Sequence, residues 1–258
     1  MSEPTHPEGT PSRGAAPSSA GGFSSGDGLT FEQAWQAAGT VPGWLTEAQA
    51  RVLWHETRRA GRRAHVVEIG SHRGRSTVVI ASALTQGHLT AIDAFVAGER
   101  YGGPATRAVL EDNLVQAGVR DRVEIIADRS GHVRRRWGEA IDLLWVDGKH
   151  DYWTCSDDLR WATFLPSGGR VLVHDAFSSL GVTLALLVHV LPSSQLRYLG
   201  RTGSLAVLEV GTPTRQDRAR FARQLPWWVR NVGIKVLLRL RLRGLARRFG
   251  HTDRCDPY

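Results

Sequence analysis

Residues 66–77 read VVEIGSHRGRST, from Val66 to Thr77. An apolar run of strand length breaks at Gly70, a second glycine follows at Gly74, and helix-forming residues come next. Strand, glycine turn and helix in that order make a ligand-binding turn in an open α/β sheet, where ligands gather beyond the carboxyl ends of the strands. Glycine lets backbone approach a ligand and adopts dihedrals that side chains disfavour. The stretch G-S-H-R-G does not match the G-x-G-x-x-G of dinucleotide sites, and the G-K-[ST] of a phosphate-binding loop is missing.

Working outward, apolar runs of strand length recur at residues 65–69, 89–92, 123–127, 141–146 and 170–173. Helix-like segments at 76–85, 106–117, 131–137 and 154–164 separate them. This alternation predicts a Rossmann-like, doubly wound α/β sheet, mostly parallel, with helices on both faces. Near-continuous apolar runs such as IDLLWV suit strands covered on both sides. A helix at 181–190 and two β-like runs at 196–199 and 205–209 follow, and the short connection between those runs predicts a hairpin. Upstream, Thr30 is placed to cap a short helix, and Thr46 with Gln49 has capping-box spacing.

A chain of 258 residues is long enough for one α/β domain with its own core. We read residues 1–28 as a disordered Pro/Gly/Ser-rich tail, 29–211 as the folded domain and 212–258 as a basic C-terminal segment. The apolar centre of a secretory signal and any run of spanning length are both missing from the sequence, and Cys155 and Cys255 are too few and too far apart for a disulfide framework. The expectation is a cytoplasmic protein. Residues 212–258 hold 12 Lys and Arg against 3 Asp and Glu, whereas the rest of the chain is nearly balanced. The basicity belongs to the tail, which argues against nucleic acid as the partner of the folded domain.

Glu68 bears on the ligand of the glycine turn. A carboxylate beside a diphosphate is unfavourable, and beside a cationic ligand it is favourable. S-adenosylmethionine carries an ammonium and a sulfonium and no phosphate. Asp93 ends the second strand and can accept both ribose hydroxyls. Asp128, beside Arg129 in IIADRS, ends the third and can approach the adenine edge. The cofactor-binding set is then Glu68, Gly70, Ser71, Gly74, Asp93, Asp128 and Arg129. The structural alternative pairs Glu68 with Arg73 or Arg75 and makes Asp93 a turn cap.

Together VVEIGSHRGRST, LTAIDAF, VEIIADRS, LLWVDGKHDYWTCSDDL and LPSGGRVLVHDAF resemble the class I S-adenosylmethionine-dependent methyltransferases. The nearest resemblance is to the metal-dependent O-methyltransferases of sugars and natural products, over residues 42–210. It implies a seven-stranded sheet with an antiparallel last strand.

Asp147 and Asp175 end the fourth and fifth strands, and two carboxylates facing one cleft suit a Mg²⁺ ion that lowers the pKa of a substrate hydroxyl. His150, three residues after Asp147, is the candidate base, a role that the resemblance also gives to a histidine at that offset. His174 is a second base or a further metal ligand. The resembling family often carries an acidic residue there. Lys149 and Tyr152 are placed to line the mouth, and Trp44 to cover the cofactor or anchor the N-terminal helices. The run Arg134–Arg136 reads as a solvated face.

On a helical wheel of residues 226–250, Trp227, Ile234, Leu238, Leu242, Leu245 and Phe249 share one face, and Val236 and Leu240 interrupt the polar one. Such a basic amphipathic segment suits an anionic membrane surface, docking on its own domain or on a second subunit in a homo-oligomer, or, as a weaker third reading, RNA. The expected function is methyl transfer to a hydroxyl of a small molecule, such as a sugar of a natural product or surface lipid. The competing readings are a non-catalytic nucleoside-binding module and a different reaction on the same fold.

Overall fold

The computed structural model describes residues 29–97 and 102–251. The tail 1–28 and residues 252–258, the end of the basic segment, lie outside the described residues, so the expectation of disorder over 1–28 does too.

Seven strands form one sheet: β1 (His65–Ile69), β2 (His88–Asp93), β3 (Val123–Ala127), β4 (Leu143–Val146), β5 (Arg170–Val173), β6 (Leu196–Thr202) and β7 (Leu205–Val210). Their order is β3-β2-β1-β4-β5-β7-β6. The first five are parallel, and β7 runs antiparallel to both β5 and β6. The chain winds outward from β1 to one edge, then returns to β4 on its other side. That reversal between β1 and β4 opens the crevice where ligands of such sheets bind. The hairpin turns at Gly203 and Ser204, with Thr202 paired to Leu205 and Gly203 at φ +58°.

Side chains alternate between two helical layers, as the strand period of two requires. On β4, Leu143 and Trp145 face the layer built by α1 (Phe31–Gly39), α2 (Glu47–Ala60), α3 (Arg75–Ala83) and α4 (Pro104–Gln116). Leu144 and Val146 face the layer of α5 (Ser130–Arg134), α6 (Tyr152–Leu159), α7 (Leu180–His189) and α8 (Arg215–Ala222). Burial on both faces explains why the strands read as unbroken apolar runs. The first two helices start where the sequence predicts, with both capping boxes formed, at Thr30–Gln33 and Thr46–Gln49.

The basic segment is not one amphipathic helix. After α8 it forms α9 (Leu225–Arg239) and α10 (Arg243–Arg248), separated by a turn in which Arg241 takes φ +61°. Of the wheel's apolar face, which could meet a membrane, a second subunit or the domain itself, Trp227 packs on the domain core and Ile234 is fully buried. Val236 and Leu240, which interrupt the wheel's polar face, are exposed. The wheel finds apolar positions, but not which of them the domain covers. Among the described residues no helix is long and apolar enough to cross a membrane.

Candidate active site

The sheet register brings the strand-end residues together. Ile69 pairs with Val146, and Val146 with Val173, so the residues after them leave the sheet at one level. The ladder continues one step further, with Asp147 N–H donating to Ile69 O and His174 N–H to Val146 O. Gly70 is required here. It sits at φ +90°, and a Cβ on it would come within 2.2 Å of the Asp147 carbonyl oxygen. Gly118 at φ +68° has open space around it. Alanine at 118 should therefore cost only the dihedral strain, about 1 kcal/mol, as read by urea unfolding. Alanine at 70 must also displace the Asp147 backbone, and we expect a loss of about 3 kcal/mol or more.

Asp147, His174 and Asp175 converge, each offering a ligand atom within 4.8 Å of the others. His174 Nδ1 lies 3.2 Å from Asp147 Oδ1 and 3.6 Å from Asp175 Oδ2. The ring nitrogen is buried and has no aligned hydrogen-bond acceptor, so these contacts are ion pairs rather than hydrogen bonds. His150 approaches from the exposed side, with Nε2 at 3.2 Å from Asp175 Oδ2 and 3.7 Å from Asp147 Oδ1. Its loop is tied down by Ser179 Oγ, which donates to His150 O, and by Gly181, whose missing Cβ makes room for that carbonyl.

The two histidines differ in access. His174 is 4% exposed and His150 about half exposed. Only His150 faces the cleft from a position where a proton could be taken from an acceptor. Burial disfavours a charged His174, but Asp147 and Asp175 outweigh it and hold the ring well above its ordinary pKa. His150 is raised too, first by the neighbouring Asp147 carboxylate at 3.7 Å and then by Asp175, against burial. For Asp175, burial alone would raise the pKa, but the adjoining His174 and its charge, with His150 behind it, hold it well below the carboxylate range. Asp175 stands at φ +53° and Phe177 at φ +60°, so this turn is strained where the charges meet.

An orphaned ring nitrogen aimed between two carboxylates fits a divalent cation. Two oxygens and one imidazole nitrogen suit Mn²⁺ or a similar ion better than the all-oxygen surroundings of Mg²⁺.

The glycine-turn side of the cleft is more tightly bonded than the sequence suggests. Glu68 is fully buried, and its carboxylate accepts from Ser76 Oγ and, at 2.6 Å, from Thr77 Oγ1 in the first turn of α3. It pairs with neither Arg73 nor Arg75 among the described ion pairs. Burial raises its pKa to about 7, against the pull of the hydroxyls. Ser71 is buried beside it. Gly74, at φ +93°, packs on Leu110 and starts α3. Asp93 accepts from the N–H of His72 and of Phe95, which leaves half of its acceptor capacity for a ligand. Asp128 stands at the end of β3, bonded to Arg129 N–H, His132 and Arg136, and the Arg129 side chain is exposed.

Trp44 is 66% exposed and touches the His72 ring of the glycine turn. Tyr152 stacks on His189, and Lys149 lies exposed near Asp151. Arg134 and Arg136 are paired with Asp157 and Asp128, not simply solvated. The Cys155 thiol is buried and pushed up to about 12, which makes it unreactive.

Sequence reasoning missed two residues. Gln49 reads as a capping residue, yet its Oε1 also meets His174 Nε2 at 3.4 Å while its Nε2 donates to Ser204 Oγ. A signal existed: Gln49, Leu53 and Thr57 share the helix face that α2 buries. Asp158 is fully buried beneath the Asp147–His150 loop, bonded to Ser130 by one oxygen, with the other oxygen bare. Nothing in its local pattern marks it.

Residues 67–176 match the family model described as a methyltransferase domain. That stretch contains the glycine turn, Asp93, Asp147, His150 and Asp175. The chain carries over that stretch the sequence pattern of a methyltransferase domain. Its fold is similar to that of PaMTH1 from Podospora anserina, crystallised with S-adenosylhomocysteine (14% identity, TM-score 0.56, 71% of this chain and 89% of that one). It is also similar to TomG from Streptomyces achromogenes, an O-methyltransferase of tomaymycin synthesis crystallised with S-adenosylmethionine (20%, 0.53, 70% and 89%). A third is an O-methyltransferase from Bacillus cereus in complex with S-adenosylhomocysteine (19%, 0.51, 70% and 90%). At these identities the likeness establishes the shared methyltransferase fold.

Proposed function

We propose that this chain is an S-adenosylmethionine-dependent class I methyltransferase that acts on a hydroxyl oxygen of a small molecule, such as a sugar of a natural product or of a surface lipid. The observation that carries this reading is the Asp147, His174 and Asp175 cluster, with His150 beside it at the open side of the cleft. In this reading Gly70 and Gly74 admit the cofactor, Asp93 and Asp128 accept from its ribose and adenine, and Glu68 and Ser71 support the turn from behind. Asp147, Asp175 and His174 would hold a divalent cation, which when bound supplies Lewis-acid activation of the acceptor hydroxyl. His150 takes the hydroxyl proton at Nε2. The oxygen then attacks the methyl carbon in line with the carbon–sulfur bond, and the bond electrons return to sulfur. The chain contributes alignment and a proton acceptor, and alignment carries much of the rate gain.

A base must be neutral to act, and the carboxylates beside His150 raise its pKa. The rate under kcat/KM conditions should therefore rise with pH through a value above that of free histidine. In His150→Ala that limb should vanish and turnover fall about 100-fold, with cofactor affinity kept. The primary test is transfer of a labelled methyl group to a panel of alcohol, phenol and sugar acceptors, with and without chelator. Cofactor binding without transfer to any acceptor would favour the nucleoside-binding module instead.

A further inference from the structure

Helix α9 has two opposed faces. The inner one is bonded to the turn that carries Asp175. Asn231, fully buried, donates from Nδ2 to Phe177 O at 3.1 Å, and Lys235 Nζ donates to Ser178 O at 2.6 Å. On the opposite side Val229 and Val236 point outward, seven residues apart and so on one stripe, and Leu240 continues it. The chain then turns, and Leu242, Leu245 and Phe249 extend the exposed apolar surface along α10, which packs back on α9 through the buried Ala246. Single exposed apolar side chains are ordinary, but six within 21 residues of one helical hairpin form a patch.

The charge around the patch has one sign. Between residues 218 and 251 there is no Asp or Glu, and Arg239, Arg241, Arg243, Arg247 and Arg248 are all exposed. A second copy of this chain would bring the same cationic surface against itself in a two-fold contact, which like charges oppose. Single-stranded nucleic acid is gripped by cations interleaved with stacking aromatics, and here the apolar members are aliphatic except for Phe249. Exposed leucines and valines among arginines complement a surface that is apolar inside and anionic outside.

We infer that the α9–α10 hairpin rests on an anionic lipid surface through Val236, Leu240, Leu242, Leu245 and Phe249. This holds the Asp175 turn, on the other side of α9, within about one helix diameter of the headgroups. Resting on the O-methyl transfer reading above, the inference narrows the acceptor to a hydroxyl carried by a membrane-borne molecule.

The test is co-sedimentation of the full chain with phosphatidylcholine vesicles, with and without phosphatidylglycerol. Binding is expected to the anionic vesicles, to weaken as salt rises, and to be small on phosphatidylcholine alone. The triple variant Leu240→Glu, Leu245→Glu, Phe249→Glu should lose about tenfold or more of that binding. Circular dichroism and calorimetry with S-adenosylmethionine are the controls, and both should match wild type. A charge variant, Arg243→Glu with Arg248→Glu, leaves the apolar patch intact and should lose binding to the anionic vesicles alone. Equal partitioning onto both vesicles, none onto either, or undiminished binding by both variants overturns the inference. So does concentration-dependent growth in mass without vesicles that the triple variant abolishes, which would make a second copy the occupant. Failure of wild-type methyl transfer to every hydroxyl, with vesicle binding intact, would instead count against the functional reading alone.

Discussion

Asp147→Ala will lower the rate of methyl transfer by about 1,000-fold while S-adenosylmethionine binds within about threefold of its normal affinity. Asp147 is the shared neighbour of both histidines, 3.2 Å from His174 Nδ1 and 3.7 Å from His150 Nε2. Its loss leaves a single carboxylate to balance two imidazoles, and removes one of three arms that could hold a cation. A general base alone contributes about 100- to 10,000-fold, and here its orientation and its cation partner fail together. Asp147→Asn keeps the shape and removes the charge, so a comparable loss in both variants would locate the effect in the charge. Single-turnover transfer of a labelled methyl group reads the chemical step, and titration calorimetry reads the cofactor. Near-normal transfer by Asp147→Ala would remove the cluster from the mechanism.

The second large effect is on stability, and it runs against the usual expectation that acid harms a protein first. Glu68 and Asp158 are fully buried carboxyls, and burial raises each to about 7. The folded chain therefore keeps protons that the unfolded chain releases near pH 4. Stability then falls as pH rises from about 4 to about 7 and stays low above that, because the native state binds more protons across that window. His174 acts in the same sense at higher pH. Its raised folded value means a contribution present below the ordinary histidine pKa and lost as pH rises through about 10. At about 1.4 kcal/mol per unit, each carboxyl costs roughly 4 kcal/mol above neutrality. The hydroxyls of Ser76, Thr77 and Ser130, which bond the charged form, already hold that cost below what burial alone would impose. The melting temperature should drop by roughly 10 °C between pH 5.5 and pH 8. The double variant Glu68→Gln, Asp158→Asn should flatten that slope and raise stability at pH 8 by about 2 kcal/mol, with one hydroxyl forced to turn round at each site. Scanning calorimetry across that range is the measurement. An unchanged slope in the double variant would show that neither carboxyl is the source.

The enzyme's architecture was largely legible before any contact was known. A parallel strand covered on both faces needs a run of apolar residues, and five such runs divided by helical segments admit few arrangements. Strands β1, β3 and β5 begin and end where the residue pattern places them. The strand-end acids were legible for the same reason. A charge just after a buried run has to leave the sheet, and in a parallel sheet all such exits lie at one end, which brings Asp93, Asp147 and Asp175 to one rim. Local capping chemistry likewise announced the starts of α1 and α2.

What the residue order determined, then, is the set of elements, their layering and the edge at which the chemistry sits. Only the tertiary structure decided that Glu68 turns toward the first turn of α3, that His174 is sealed beneath Asp147 while His150 stays open, and that Gln49 closes the far side of His174. It also decided that α9 keeps Asn231 and Lys235 inside and Val236 and Leu240 outside. The reason is common to all four. Periodicity says which residues share a face, but which face is covered depends on partners brought in from elsewhere. For Gln49 that partner lies 125 positions along the chain, and for Asn231 it lies 54.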